Sequence, residues 1–239
     1  VNITSNPFTL SDLTTNTTYY AAIRADYGDG NYSDWTEKVS FTPRKETDIT
    51  INDGSNTIIT APLYGVQSSN LVSTQIIIPS SSLTEIQNRQ ITKLTYYAKE
   101  TSVSWGDATY EVYLKITTNT SFPTSGYSLE SWGTNVFNAA KLSVSDGKME
   151  IRFDTPFNYH SGNLLIGVKQ ITKGTNSTVN WYTNSSYTGG IGMYYYSTSG
   201  QGRVSYSPKI TITGTAIESA PVKIDNNGYT TFASAWPLD

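Results

Sequence analysis

Tyr110-Glu111-Val112-Tyr113-Leu114-Lys115-Ile116 alternates throughout: Tyr110, Val112, Leu114 and Ile116 fall on one side of an extended chain, and Glu111, Tyr113 and Lys115 on the other. Successive strand side chains point to opposite faces, so the stretch reads as a half-buried β-strand. Met149, Ile151 and Phe153 repeat the rhythm, whereas Leu164-Leu165-Ile166-Gly167-Val168 is apolar on both faces and suggests a central strand. With these three, the candidate strands are 48–52, 57–61, 74–78, 91–99, 108–117, 135–144, 148–153, 163–170, 179–182, 191–196 and 209–213. Ser80-Ser81-Ser82-Leu83-Thr84-Glu85-Ile86 carries the only helical signal, a Ser cap followed by Glu, with Leu83 and Ile86 at helical spacing. About eleven short strands in roughly 170 residues predict a double-sheet jelly roll.

Composition agrees. Hydrophobic residues are 37 % of the 239, a share that includes 18 Tyr, and charged residues 15 %, with Thr, Ser and Asn filling much of the rest. Thr and Tyr suit pleated surfaces, and Asn, Ser and Gly suit turns, so the chain is expected to be all-β. A net charge of −3 without a basic cluster argues against nucleic acid as a partner. No apolar run reaches the ~18 residues of a membrane span. The absence of Cys rules out disulfides, thiolate metal sites and thiol nucleophiles, and is compatible with a secreted bacterial protein.

The N-terminal part reads differently. Phe8-Thr9-Leu10-Ser11-Asp12-Leu13-Thr14-Thr15-Asn16-Thr17-Thr18-Tyr19 is a strand and a corner, and Ala21, Ile23 and Ala25 alternate behind it. Asp26-Tyr27-Gly28-Asp29-Gly30-Asn31 is a turn of residues that tolerate positive φ. A last strand over 32–42 then carries Trp35, Val39 and Phe41 as anchors. Pro43-Arg44-Lys45-Glu46 breaks the pattern, which sets a boundary there. After Ala220-Pro221 the pattern changes again, and 217–239 reads either as a further β module or as a tail on the sandwich edge.

The corner with Leu13 and Tyr19 resembles the E–F corner of a fibronectin type III domain, in which a tyrosine hydroxyl turns back onto the preceding backbone. That resemblance implies that 1–45 is the end of such a domain and that the chain starts inside it. Three strands over 7–42 cannot close a sandwich. Leu10, Tyr19, Ile23, Val39 and Phe41 are therefore expected to be covered by the jelly roll, by 217–239 or by a second copy of the chain. The region 46–216 resembles jelly-roll modules of Bacteroidetes surface and secreted multidomain proteins. The resemblance is carried by the 80–86 turn feeding strand 91–98, by Tyr113-Leu114, and by Phe153-Asp154-Thr155-Pro156-Phe157 with Asn163-Leu164-Leu165-Ile166-Gly167-Val168. More loosely, the region is similar to cleaved-adhesin domains. These resemblances imply adhesion or carbohydrate binding at the bacterial surface, with no catalytic residue to carry over.

The residues offer little catalytic chemistry. His160, the single histidine, lies in the polar turn Asn158-Tyr159-His160-Ser161-Gly162. Glycoside hydrolysis needs paired carboxylates. Glu100, Asp107, Glu111, Glu130, Asp146, Glu150 and Asp154 are available, but none sits in a motif; Asp154 reads as the cap of a strand-end turn. No enzyme activity and no cofactor are expected, although Asn52-Asp53-Gly54-Ser55-Asn56 and Asp225-Asn226-Asn227-Gly228 leave room for a structural calcium.

Aromatic residues are the better lead, because sugar rings stack on flat side chains. Trp105 and Trp132 each precede a glycine in a turn, where they either fold back as lids over the sandwich ends or stack a ligand. Trp181 and Tyr206 complete the candidate ligand-binding set. The expected function is a non-catalytic, secreted or cell-surface module that binds a glycan or a host or surface protein. The alternatives are a structural spacer between domains and an accessory domain of a secreted hydrolase.

Overall fold

A computed structural model describes residues 13–64, 71–122, 128–185, 191–197, 200–204 and 207–217. The chain divides between Glu46 and Thr47 into two compact units, one residue from the boundary expected of the sequence. The described residues are all-β apart from two short 3₁₀ turns, and the strand pairings are antiparallel in both units.

In the first unit β1 (Tyr19–Ala21) pairs with β4 (Val39–Phe41), and β2 (Asp26–Gly28) pairs with β3 (Asn31–Tyr32). Asp29 and Gly30, at φ 51° and 81°, make the hairpin turn between β2 and β3. The hydroxyl of Tyr19 accepts a hydrogen bond from the Thr14 backbone N–H at 3.0 Å, which ties the strand to the turn before it. The single strand expected over 32–42 is broken. Between β3 and β4, the Ser33 and Thr36 backbone N–H groups donate to the carbonyls of Ala25 and Ile23, at 3.1 and 2.9 Å, but the return N–H groups of Ala25 and Ile23 go to the Ser33 and Thr36 hydroxyls, at 2.8 and 3.1 Å, rather than to carbonyls. Trp35 and Val39 are not core anchors but stand 60 % and 65 % exposed, and Arg24 lies 4.7 Å from the Trp35 ring.

The second unit is a jelly-roll-like sandwich of two six-stranded sheets. One has the order β11 (Thr134–Ala140), β10 (Thr109–Thr117), β14 (Asn163–Thr172), β7 (Ser73–Ile78), β16 (Ile191–Ser197), β17 (Gly200–Val204). The other runs β5 (Glu46–Ile51), β18 (Ile210–Ala216), β8 (Arg89–Tyr97), β13 (Lys148–Tyr159), β12 (Ser143–Ser145), β9 (Ser102–Ser104). A separate ribbon joins β6 (Asn56–Ile58) to β15 (Trp181–Thr183). The pairs β7–β14, β8–β13, β9–β12 and β10–β11 nest one inside the next, the wiring of a long hairpin folded over on itself.

Between the sheets lies one continuous core. Ile76, Val112, Leu114, Leu164 and Ile166 from the first sheet meet Ile91, Leu94, Met149, Ile151 and Ile212 from the second. Two expected strands change form. The stretch 135–144 splits after Ala140: the register with β10 shifts between Phe137 and Ala140, where Ala139 has a φ of 44°, and the chain then crosses through Lys141 and Leu142 to the other sheet as β12. Strand 148–153 runs on to Tyr159, with its pairing to β8 shifted between Arg152 and Phe157, where Pro156 can give no ladder bond. The segment 80–86 forms two 3₁₀ turns, Ser80–Ser82 and Thr84–Ile86, without a side-chain cap; the Ser80 N–H instead bonds to Asn163 Oδ1 at 2.9 Å. Among the described residues no helix is long and apolar enough to cross a membrane.

Candidate functional site

The outward face of the sheet carrying β10, β14 and β7 is set by register. Glu111, Lys169 and Ser73 form one row across the three strands; Tyr113, Gly167 and Gln75 form the next; Lys115, Leu165 and Ile77 form a third. Leu165 and Ile77 explain why β14 and β7 are apolar on both sides. The connection from β10 to β11 folds back over them, and its Phe122 and Leu129 pack on the pair as a small second core.

Gln75 fastens this connection. Its fully buried side chain donates to the Glu130 carbonyl at 3.0 Å and accepts the Glu130 N–H at 2.7 Å, imitating a strand neighbour. Lys115 reaches Ser131 Oγ at 2.7 Å and Glu130 at 3.9 Å. The next residue, Trp132, then lies on Gly167. A Cβ at Gly167 would fall 2.6 Å from the indole Cζ3, so only glycine allows the ring to sit this close to the sheet. Tyr113 flanks Trp132 with ring centroids 5.0 Å apart, and Lys169 Nζ is 6.0 Å from the indole centroid. Trp132, Tyr113, Glu111 and Lys169 are all half-buried, and so keep surface open to solvent.

The Tyr113 hydroxyl donates to Glu111 Oε2 at 2.5 Å. Its pKa is pushed up to about 12 by burial and by the bond to, and charge of, Glu111, against a smaller opposing hydrogen bond from Asn135. Tyr113 therefore stays protonated and holds Glu111 in place. Among the described residues Glu111 accepts no other hydrogen bond, which leaves Oε1 for an incoming donor.

The other aromatic candidates lie elsewhere. Trp105 and Trp181 are 1 % and 0 % exposed. Their rings stack 26° from parallel at 6.3 Å, with Tyr110 and Tyr96 edge-on at either end. Trp105 Nε1 donates to the Ser177 carbonyl at 2.9 Å and Trp181 Nε1 to the Leu63 carbonyl at 3.1 Å. Both indoles are core residues with no face left for a ligand, and Trp105 takes the folded-back arrangement weighed for it above. Tyr206 lies outside the described residues, as does the turn at 225–228.

The carboxylates are scattered. Glu100 clamps Asn180 through its backbone and side-chain N–H groups at 2.9 and 2.6 Å. Burial works to raise its pKa, but these bonds and nearby Lys99 outweigh it, so the pKa lies below the ordinary value. Asp107 is held down by its 2.7 Å bond to Lys141. Asp154 does not cap a strand end but sits within β13 and accepts the Asn138 N–H at 2.8 Å. Asp146 and Glu150 line a concavity of about 370 Å³ with Ser143, Ser145 and Lys148. His160 is exposed, 3.3 Å from Asn88 Oδ1. Asn52 and Asp53, weighed above for calcium, bond instead to Ser207 and Lys209, and no group of three or more potential ligands from His, Cys, Asp and Glu occurs among the described residues.

No protein-family model, curated protein or solved structure matches the chain. The site must be judged on its own geometry.

Proposed function

We propose that this chain is a non-catalytic module of a secreted or cell-surface protein, and that it binds carbohydrate on the outer face of its β10–β14–β7 sheet. One observation carries the reading: the Trp132 indole rests against the backbone at Gly167, braced by Tyr113, with polar groups around it. A flat, rigid, half-exposed aromatic on a sheet loses little freedom on binding, and suits the apolar face of a sugar ring. The Tyr19–Thr14 bond supports the fibronectin type III reading of the first unit, and the nested pairing supports the jelly-roll resemblance of the second. Neither bears on the ligand.

The test is retention on immobilised polysaccharides by affinity electrophoresis, comparing the parent chain with Trp132→Ala and, as a control, with Trp35→Ala in the first unit. Retention that depends on Trp132 and not on Trp35 supports the reading. Absence of retention across a broad panel favours the spacer instead.

A further inference from the structure

We infer that the ligand of the Trp132 surface is an uncharged pyranose, and that Glu111 and Lys169 read its hydroxyls. The inference rests on the carbohydrate reading given above and adds its chemistry. Three features of the outer face argue for it.

The first is position. Glu111 and Lys169 are cross-strand partners, one row from Tyr113 and Gly167. Rows on one face are separated by two residues, roughly 7 Å. A sugar lying on the indole thus brings its edge, where the hydroxyls are, over the Glu111–Lys169 pair. The second is complementarity. An ammonium only donates and a carboxylate only accepts, whereas each sugar hydroxyl does both. Adjacent hydroxyls can satisfy the two at once, one accepting from Lys169 and the other donating to Glu111. Tyr113 has already fixed Glu111, so little freedom is lost when a ligand binds.

The third feature is charge. The face carries two cations, Lys115 and Lys169, and two anions, Glu111 and Glu130, with Lys115 already drawn to Glu130. An anionic sugar approaching Lys169 would meet Glu111 directly across the strand pair, in a chain whose net charge is −3. Like charges brought together in this way oppose binding. The rim therefore selects against uronates and sulfated sugars.

The experiment is isothermal titration of the full chain with two neutral polysaccharides, galactomannan and mixed-linkage β-glucan, and two acidic ones, polygalacturonate and heparin. Four proteins are compared: the parent, Trp132→Ala, Glu111→Gln and Lys169→Met. Glutamine can still accept the Tyr113 hydrogen bond, and methionine preserves the lysine stem, so both rim variants keep the fold. The expected result is binding to a neutral polysaccharide and not to the acidic ones. Trp132→Ala should abolish that binding, and each rim variant should weaken it about tenfold, as expected for a hydrogen bond to a charged group. Loss with Trp132→Ala but unchanged affinity in both rim variants would overturn the role of Glu111 and Lys169 and leave the stacking surface standing. Tighter binding of polygalacturonate or heparin would overturn the uncharged ligand. Binding that survives Trp132→Ala, or no binding to any of the four, would remove the stacking reading and this inference together.

Discussion

Gly167→Ala probes whether the glycine is the seat of the Trp132 ring. In a strand, alanine is favoured over glycine by roughly 0.5–1 kcal/mol, because glycine loses more backbone freedom on folding. Gly167 is not among the positive-φ residues, so its backbone does not oppose the change. The ring does. The added carbon would sit 2.6 Å from Trp132 Cζ3 and 3.0 Å from Cε3, well inside the roughly 3.5–4.0 Å at which carbons rest. The indole must lift by about 1 Å, and forced shifts of this kind cost roughly 1–3 kcal/mol. Setting the gain against the cost, Gly167→Ala should destabilise the protein by about 0–2.5 kcal/mol. In a Trp132→Ala background the obstacle is gone, and the same change should stabilise by roughly 0.5–1 kcal/mol. The resulting coupling of about 1–3 kcal/mol lies within the range measured for residues in contact. Urea unfolding of the four proteins of this cycle, followed by far-ultraviolet circular dichroism, measures it. A Gly167→Ala effect of the same size and sign in both backgrounds would refute the seat.

Tyr96 and Tyr110 carry buried hydroxyls with no hydrogen-bond partner among the described residues, and burial raises the pKa of both. Tyr96→Phe and Tyr110→Phe should therefore be neutral or stabilise by about 1 kcal/mol, read as an upward shift in the urea midpoint. Glu100 has a folded pKa below its ordinary value despite opposing burial, owing to its bonds from Asn180. The stability it contributes is full above the ordinary glutamate range and disappears as pH falls through its depressed folded value. Glu100→Gln should flatten that part of the acid-denaturation profile and leave the basic branch unchanged. Tyr20 and Val39 are 71 % and 65 % exposed, which predicts concentration-dependent self-association by sedimentation velocity, weakened by Tyr20→Lys or Val39→Lys.

The strands most legible in the sequence were those whose surroundings enforce alternation. β10 is buried on one face from Tyr110 to Leu114 and half-buried on the other, and its pattern shows it. β9 and β17 leave no such pattern: β9 is a three-residue edge strand rich in serine, and β17 is a glycine-rich edge strand, so neither carries a period-two apolar signal. Trp105 and Trp132 look alike in sequence, each an indole before a glycine. What separates them lies far along the chain: Trp105 finds Trp181 and Ser177 and is buried, whereas Trp132 finds Gly167 and stays at the surface. Local sequence holds no record of such partners. The lone glycine in an otherwise apolar strand was the available clue, since glycine within a strand often marks a close approach. Glu111 is legible as an outward-facing carboxylate of β10, but its pairing with Lys169 is not, because that is a matter of register between strands.

Trp132 is carried by the connection between β10 and β11, the innermost pair of the nest. Every other nested pair closes around it in the order of pairing, so a change at this tip re-threads no other strand. The tip is nevertheless tied into the fold, because Phe122 and Leu129 cover Leu165 and Ile77 and Glu130 satisfies the buried Gln75. Variation that keeps these three residues and is confined to exposed positions such as Ser128 and Ser131 would alter the outward surface while the interior stays as it is.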